Sequence, residues 1–258
     1  MRKFLSVVIP AYNEEENIRK NVLEKVYQYL SSQNYSWEVL IVDDKSTDRT
    51  AELARQFSRR HSGFRVFREE HRGKGGTVVA GMLAAKGEVI IFTDMDQATP
   101  INQIEKLLPK VSAKGGSAAG GKGDYDIAIC SRTGREGAPF IRKLMAYGFM
   151  ILRTLVLRLP YKDTQCGFKA FKRTAANKIF RKMKIFSEKA TTKGASVSAG
   201  FDLEILYVAR KLGLRVAEVP VEWSHQEGTK VNPVKDSWEG FRDLIKVRIN
   251  ALLGQYKV

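Results

Sequence analysis

Apolar residues in this chain fall into short continuous runs separated by stretches of helical spacing. That is the pattern of strands buried on both faces and joined by crossover helices. Residues 5–9 (LSVVI), 39–42 (VLIV), 64–67 (FRVF) and 89–92 (VIIF) predict four strands. Between the first two, Ile18, Val22, Val26 and Leu30 recur at helical spacing. Ser46-Thr47-Asp48 supplies a cap for a second amphipathic helix reaching about Arg60. A glycine-rich turn, RGKGG, then leads into a helix of small residues that packs closely on the sheet. Strand and helix alternate through the first 93 residues, which predicts a parallel, doubly wound sheet.

Residues 127–130 read as a further strand leading into Ser131-Arg132. A helix follows over about 139–159. On its wheel Arg142, Lys143, Arg153 and Arg158 share one arc, opposite Leu144, Met145, Gly148, Phe149, Ile151, Leu152, Leu155, Val156 and Leu159. Two readings stay open: a helix lying in a membrane interface with its basic face toward lipid phosphates, or a core-facing helix with solvated arginines. Residues 163–173 (DTQCGFKAFKR) predict a short bent strand or hairpin. Phe201-Asp202-Leu203-Glu204 opens a helix that stops at Gly213. Residues 216–223 form a last strand, and an amphipathic helix containing Trp238, Phe241, Leu244 and Ile245 ends the chain. Residues 112–125 and 187–200 are polar loops without periodicity, expected to be mobile connections. No repeat is visible, and one domain is expected.

Composition narrows the partners. A chain of 258 residues suffices for one large α/β domain. Its net charge of +16 favours a polyanion: nucleic acid, an anionic membrane surface or a phosphorylated substrate, against the alternative of a merely solvated basic surface. Zinc spacing, an RNP-like aromatic motif and a base-reading basic helix are all missing, which argues against a nucleic-acid-binding module. Cys130 and Cys166 lie far apart in sequence and imply neither a disulfide framework nor a thiolate metal site. Pro10 ends the first apolar stretch too early for a signal peptide, and no apolar run reaches the roughly 18 residues of a bilayer span. The expected location is cytoplasmic.

The candidate chemistry gathers where strands end. The fourth run stops at Thr93 and then at Asp94 and Asp96. Asp-x-Asp at the carboxyl end of a parallel strand can hold a divalent metal against a diphosphate, one carboxylate binding the ion and the other orienting the nucleotide. Pro10, Ala11, Tyr12 and Glu14 follow the first strand, and Asp43 and Asp44 follow Val42 on the second. All three acidic stops fall at one end of the predicted sheet. Glu14 to Glu16 also suit a helix N-terminus, and Asp202 also suits a helix cap. Gly73-Lys74-Gly75-Gly76 offers N–H groups and an ammonium to phosphate, but is neither a P-loop nor a GxGxxG fingerprint.

Taken in order, PAYNE, VDDKSTDRT, GKGG, DMD, SR, DTQCGFKAF, FDLEILY and EGTK resemble a family 2 glycosyltransferase of the GT-A fold. DTQCGFK and FDLEILY are most similar to the dolichyl-phosphate glucosyltransferases and their prokaryotic polyprenyl-phosphate relatives. The resemblance implies an open, mostly parallel twisted sheet with a C-terminal acceptor-side region. It implies a nucleotide-sugar half (1–96), an acceptor half (97–236) and a C-terminal helix (237–258). By likeness, Pro10, Ala11, Tyr12, Glu14, Val42, Asp44, Lys74, Asp94 and Met95 would surround a nucleotide sugar. Asp96, with Gln97 as an additional ligand, would bind Mg²⁺ or Mn²⁺. Arg132, His225 and Lys230 would meet phosphate, with Asp96, Arg132 and Asp202 as the catalytic set.

The implied reaction moves a hexose, glucose by likeness, from a UDP-sugar to a dolichyl or polyprenyl phosphate with inversion, at the cytoplasmic face of a membrane. A phosphomonoester has its second pKa near about 6 and is largely dianionic at neutral pH. Asp202 is then expected to orient a sugar hydroxyl or a basic residue instead of abstracting a proton. The competing readings are another donor (GDP-mannose, UDP-GlcNAc), a hydroxyl acceptor that would make Asp202 an essential base, a nucleotidyltransferase, or a silent sugar-nucleotide binder.

Overall fold

A computed structural model describes residues 3–112, 124–132, 140–186, 200–224 and 233–256; for 140–146 and 233–237 it describes the backbone. Seven strands form one sheet: β1 (Leu5–Ala11), β2 (Trp37–Asp43), β3 (Phe64–Arg68), β4 (Val89–Phe92), β5 (Ile127–Arg132), β6 (Lys169–Lys172) and β7 (Val216–Val221). Their order is β3-β2-β1-β4-β6-β5-β7. The first four strands are parallel, as their continuous apolar runs predict, because both faces are covered by helices. β6 runs antiparallel to both of its neighbours, while β5 and β7 are parallel to each other.

One face packs on α1 (Glu15–Arg19), α2 (Val22–Ser31), α3 (Thr50–Arg60) and α5 (Ile104–Val111). Its core joins Val7, Ile9, Val39, Ile41 and Ile91 to Val26, Leu30, Phe57 and Leu107. The other face carries α4 (Gly73–Ala84), α7 (Arg173–Phe180), α8 (Gly200–Lys211), the end of α6 (Phe140–Leu157) and α9 (Pro233–Leu252). There Phe92 lies 6.0 Å from Phe171 and 5.9 Å from Phe201, ring centre to ring centre, pairings worth about 0.5–1.5 kcal/mol each beyond burial.

Several expectations are corrected. The single helix read from Ile18 to Leu30 is two, because Asn21 adopts a left-handed backbone (φ 59°) between α1 and α2. Of the short strand or hairpin expected over 163–173, the strand is present as the four residues of β6, and α7 follows it in place of a second strand. The C-terminal helix begins at Pro233 and ends at Leu252, so it straddles the boundary expected at 237. Arg153 does not share a solvent or lipid arc with Arg158. It is buried, its guanidinium donating to Thr164 Oγ1 (3.0 Å) and to the carbonyls of Lys162 (3.0 Å) and Tyr161. The loops expected to be mobile at 112–125 and 187–200 lie almost wholly outside the described residues, as do His225 and Lys230. Among the described residues, no helix is long and apolar enough to cross a membrane.

Candidate active site

Parallel pairing brings the strand ends together. Pro10 sits beside Val42 and Ala11 beside Asp43, and Ala11 accepts a hydrogen bond from the Asp44 N–H (2.9 Å). Asp44 is buried, with one carboxylate oxygen taking the Arg72 N–H (2.7 Å) and the other facing His71 Nδ1 (2.9 Å). The His71 ring stacks on Tyr12, 4.7 Å between centres, so an aromatic shelf and an acidic residue lie together at the ends of β1 and β2. The Glu14 N–H is held by Thr50 Oγ1 (2.7 Å) where α1 begins. Val42 and Met95 reach the same edge through their backbones, their side chains being buried in the two cores.

Beyond β4 the chain turns sharply, with Gln97 in a left-handed backbone (φ 51°). Lys74, in the first turn of α4, donates to Asp94 Oδ1 at 2.6 Å. GKGG is the opening of α4 itself. A side chain on Gly75 would stand 2.7 Å from Phe186 and 3.0 Å from Phe201, so its absence lets α4 approach α8 and carries Lys74 to Asp94. Burial works against the Lys74 charge, but Asp94, with Asp202 and Asp96 behind it, holds its pKa above the ordinary lysine value. On the opposite side of Asp94 stands Gly167, where any Cβ would overlap Asp94 Oδ2.

Asp96 is raised above the usual carboxylate range, first by burial and then by repulsion from Asp94. Its Oδ1 accepts the Ala98 N–H at 3.0 Å, and the described residues give its other oxygen no donor. Gln97 turns its amide nitrogen to the Asp94 carbonyl (2.8 Å) and leaves Oε1 buried without a partner. A carboxylate oxygen and an orphaned amide oxygen are hard donors. They suit Mg²⁺ or Mn²⁺, whose remaining positions are ordinarily filled by phosphate and water. Among the described residues no group of three or more acidic, His or Cys side chains forms a metal site by itself.

Asp202 lies in the first turn of α8, and its side chain is no cap: Oδ1 accepts Lys169 Nζ at 2.6 Å. Burial raises the Asp202 pKa, and Lys169 opposes that rise. Two residues on, Glu204 is wholly structural. It accepts the N–H groups of Lys184 (2.7 Å), Ile185 (3.0 Å) and Phe186 (3.1 Å) and the hydroxyl of Tyr256 (2.7 Å). Arg132, at the end of β5, forms a two-pronged pair with Asp163 (2.6 and 2.9 Å) and lies 5.7 Å from the Trp223 ring centre. The Glu218 carboxylate fixes Asp163 in turn, accepting its N–H at 2.8 Å. Two of the five guanidinium N–H groups of Arg132 are spent on Asp163.

Asp94, Asp96, Lys74, Asp202 and Arg132 thus share one end of the sheet with Tyr12 and Asp44. Sequence reasoning passed over Lys169, Asp163, His71 and Gly167. Lys169, Asp163 and Gly167 stand in DTQCGFK, a segment whose likeness was among the most specific, and that was the available signal. The two cysteines, distant in sequence, are neighbours here: Cys130 is the main cause that lowers the Cys166 thiol to about 7, and both are free and buried.

The family model for Glycosyl transferase family 2 matches residues 6–180. The dolichyl-phosphate beta-glucosyltransferase of Drosophila melanogaster is 34% identical over 98% of this chain and 77% of its own length. That of Homo sapiens is 30% identical over 99% of this chain and 78% of its own. Glucosyl-3-phosphoglycerate synthase from Mycobacterium tuberculosis, solved with Mn²⁺, UDP and glucosyl-3-phosphoglycerate, superposes with a TM-score of 0.62 at 19% identity, over 95% of this chain and 80% of that one. Mannosyl-3-phosphoglycerate synthase from Rubrobacter xylanophilus gives 0.69 at 17% identity, over 99% and 76%. The solved structures carry the GT-A fold and the sequence relatives carry the family. On that match and those identities, the chain belongs to glycosyltransferase family 2 and is a transferase similar to the dolichyl-phosphate beta-glucosyltransferases.

Proposed function

We propose that this enzyme transfers glucose from UDP-glucose to a dolichyl or polyprenyl phosphate, with inversion, while resting on the cytoplasmic face of a membrane. The observation that carries the reading is the buried, unpartnered Oε1 of Gln97 and the neighbouring Asp96 carboxylate, one of whose oxygens takes no hydrogen bond from the described residues, set beside an Asp94 already clamped by Lys74. Tyr12, His71 and Asp44, with the Pro10–Ala11 backbone, would receive the nucleoside. Mg²⁺ or Mn²⁺ held by Asp96 and Gln97 would supply positive charge to the departing diphosphate. Lys74 would add its ammonium to the same charge, exchanging part of its hold on Asp94 for a phosphate oxygen.

Asp202 is committed to Lys169, which supports a positioning role over a base. The acceptor phosphate is already anionic and needs only to be held in line. Arg132, braced by Asp163, keeps donors to spare for that phosphate, and His225 and Lys230 are proposed as its companions. Residues 1–96 would form the donor half and 97–236 the acceptor half, with the C-terminal helix against the membrane. Exposed Trp238, Phe241, Leu252 and Leu253 on and just after α9, and Tyr147, Ile151 and Leu155 on α6, support the membrane placement.

The test is direct. The protein is incubated with a panel of UDP- and GDP-sugars, Mg²⁺ or Mn²⁺ and a short polyprenyl phosphate. Glucose on the lipid with release of UDP is expected. Full turnover in chelator, or transfer only to hydroxyl acceptors, would overturn the proposal.

A further inference from the structure

A second basic site lies away from the chemistry. A cavity of about 290 Å³ opens between the ends of α6 and α8 and the side of α9, lined by Leu155, Arg158, Tyr207, Arg210, Lys211 and Arg248. Among the described residues no acidic side chain lines it. Lys211 stands nine residues beyond Asp202, roughly 13 Å further along the α8 axis. Because α8 opens among the active-site groups, this cavity occupies the other end of that helix.

Helix ends attract cations, and that accounts for part of the cluster. Arg210 donates to the Leu157 carbonyl at 3.4 Å, closing α6. The same account does not reach Arg248, which sits four residues inside α9. It does reach Arg158, which directly follows Leu157 at the end of α6 in the left-handed backbone (φ 53°) of a helix-closing residue, a conformation that disfavours any residue with a side chain. Among the described residues Arg158, Lys211 and Arg248 form no salt bridge, and all three are exposed. Four cations therefore converge on one cavity, with no counter-charge among the described residues that line it.

The surroundings say what kind of anion belongs there. Leu155 forms one wall and is 74% exposed, the last of Tyr147, Ile151 and Leu155, spaced four apart along one side of α6. Immediately after Arg248 come Ile249, Leu252 and Leu253, also exposed. A soluble phosphate needs no such apolar rim, whereas a phospholipid presents a phosphate directly above its acyl chains.

We infer that this cavity binds the headgroup phosphate of an anionic phospholipid, at a site distinct from the one that receives the acceptor. The inference leans on the membrane reading of α6 and α9, but its test involves neither donor, metal nor turnover, so the two fail separately.

Co-sedimentation is measured with phosphatidylcholine vesicles, with and without a minority of phosphatidylglycerol. The triple variant Arg158→Gly, Lys211→Gln, Arg248→Gln is compared with a control triple, Arg55→Gln, Arg59→Gln, Arg60→Gln, on α3 at the other face of the sheet. Arg158→Gly removes the backbone strain, so a thermal midpoint no lower than wild type is expected for that single change. The cavity triple should lose about fivefold in anionic partition per charge, on the order of a hundredfold in all, with neutral-vesicle binding unchanged. The control should lose no more than about threefold, being screened at that distance. Equal losses in the two triples, or no loss in the first, overturn the inference. So does inorganic phosphate or a single-stranded oligonucleotide whose binding the cavity triple abolishes while vesicle partition survives.

Discussion

Lys169 has no solvent-exposed surface, and its ammonium donates to Asp202 at 2.6 Å and to the Cys166 carbonyl at 2.5 Å, 5.4 Å from the Phe92 ring centre. The carboxylate that faces it supplies the counter-charge that a buried lysine requires. The two residues define each other: Asp202 is the reason Lys169 can be buried, and Lys169 opposes the rise that burial imposes on the Asp202 pKa. Breaking a buried pair from one side leaves an uncompensated charge, at about 3–5 kcal/mol. Lys169→Met and Asp202→Leu should each lose that much in denaturant titrations. The double variant should recover most of it, giving a large coupling energy in the cycle; additive losses would show that the pair is not a unit.

The same pairing bears on catalysis. Asp202→Asn should retain measurable transfer to a lipid phosphate when assayed at a temperature where it is folded, because the nucleophile brings its own charge. Asp96→Ala should lose metal-dependent turnover entirely. If both variants are folded and equally dead, Asp202 is the base after all.

Asp96 predicts an inversion of stability with ligand. Its pKa is raised, so its charge opposes the fold, and the stability of the protonated form is lost as pH rises from the ordinary value near about 3.9 through the raised one. In the absence of metal, Asp96→Asn should therefore melt above wild type at neutral pH. The gap should close as acid protonates the wild-type carboxylate. Adding UDP with Mn²⁺ should reverse the order, since only wild type gains binding energy, about 2.7 kcal/mol at a hundred times Kd. Thermal melts across pH, with and without the ligands, read all three points.

Gly167 is needed for space. Its missing side chain leaves room for Asp94 Oδ2, and its backbone lies outside the left-handed region. Gly167→Ala should push Asp94 from Lys74 and reduce kcat/KM on the order of a hundredfold, the scale of a misplacement near 1 Å. Gly148→Ala, where nothing lies within 4 Å, should leave it unchanged. Circular dichroism on both separates the effect from misfolding.

The first four strands and their acidic stops were legible because continuous runs such as VIIF have no other use than burial on both faces. DMD needed only its place after such a run. β6 was harder: KAFK is four residues long with a lysine at each end, and nothing local says that it runs against its neighbours. α5 was passed over although Ile104, Leu107, Leu108 and Val111 recur at helical spacing; Pro109 inside it argued against a helix. Arg153 read as a surface charge, and Lys169 was passed over, because charge is nearly always solvated. Their burial depends on partners, Asp202 and Thr164, that no window of sequence brings near. His71, one of three histidines, stands in no motif of its own and is given meaning only by Tyr12 and Asp44.

The reversed direction of β6 makes the spelling of one short segment unusually unforgiving. Side chains alternate along the strand, so Phe171 faces α8 with Lys169, while Ala170 faces the α5 side. Deleting a single residue between Gly167 and Lys172 would swap those assignments, strand the ammonium among leucines and leave the carboxylate of Asp202 opposite an alanine. Loss of two residues would at least preserve parity. For this stretch the tolerable changes come in even numbers.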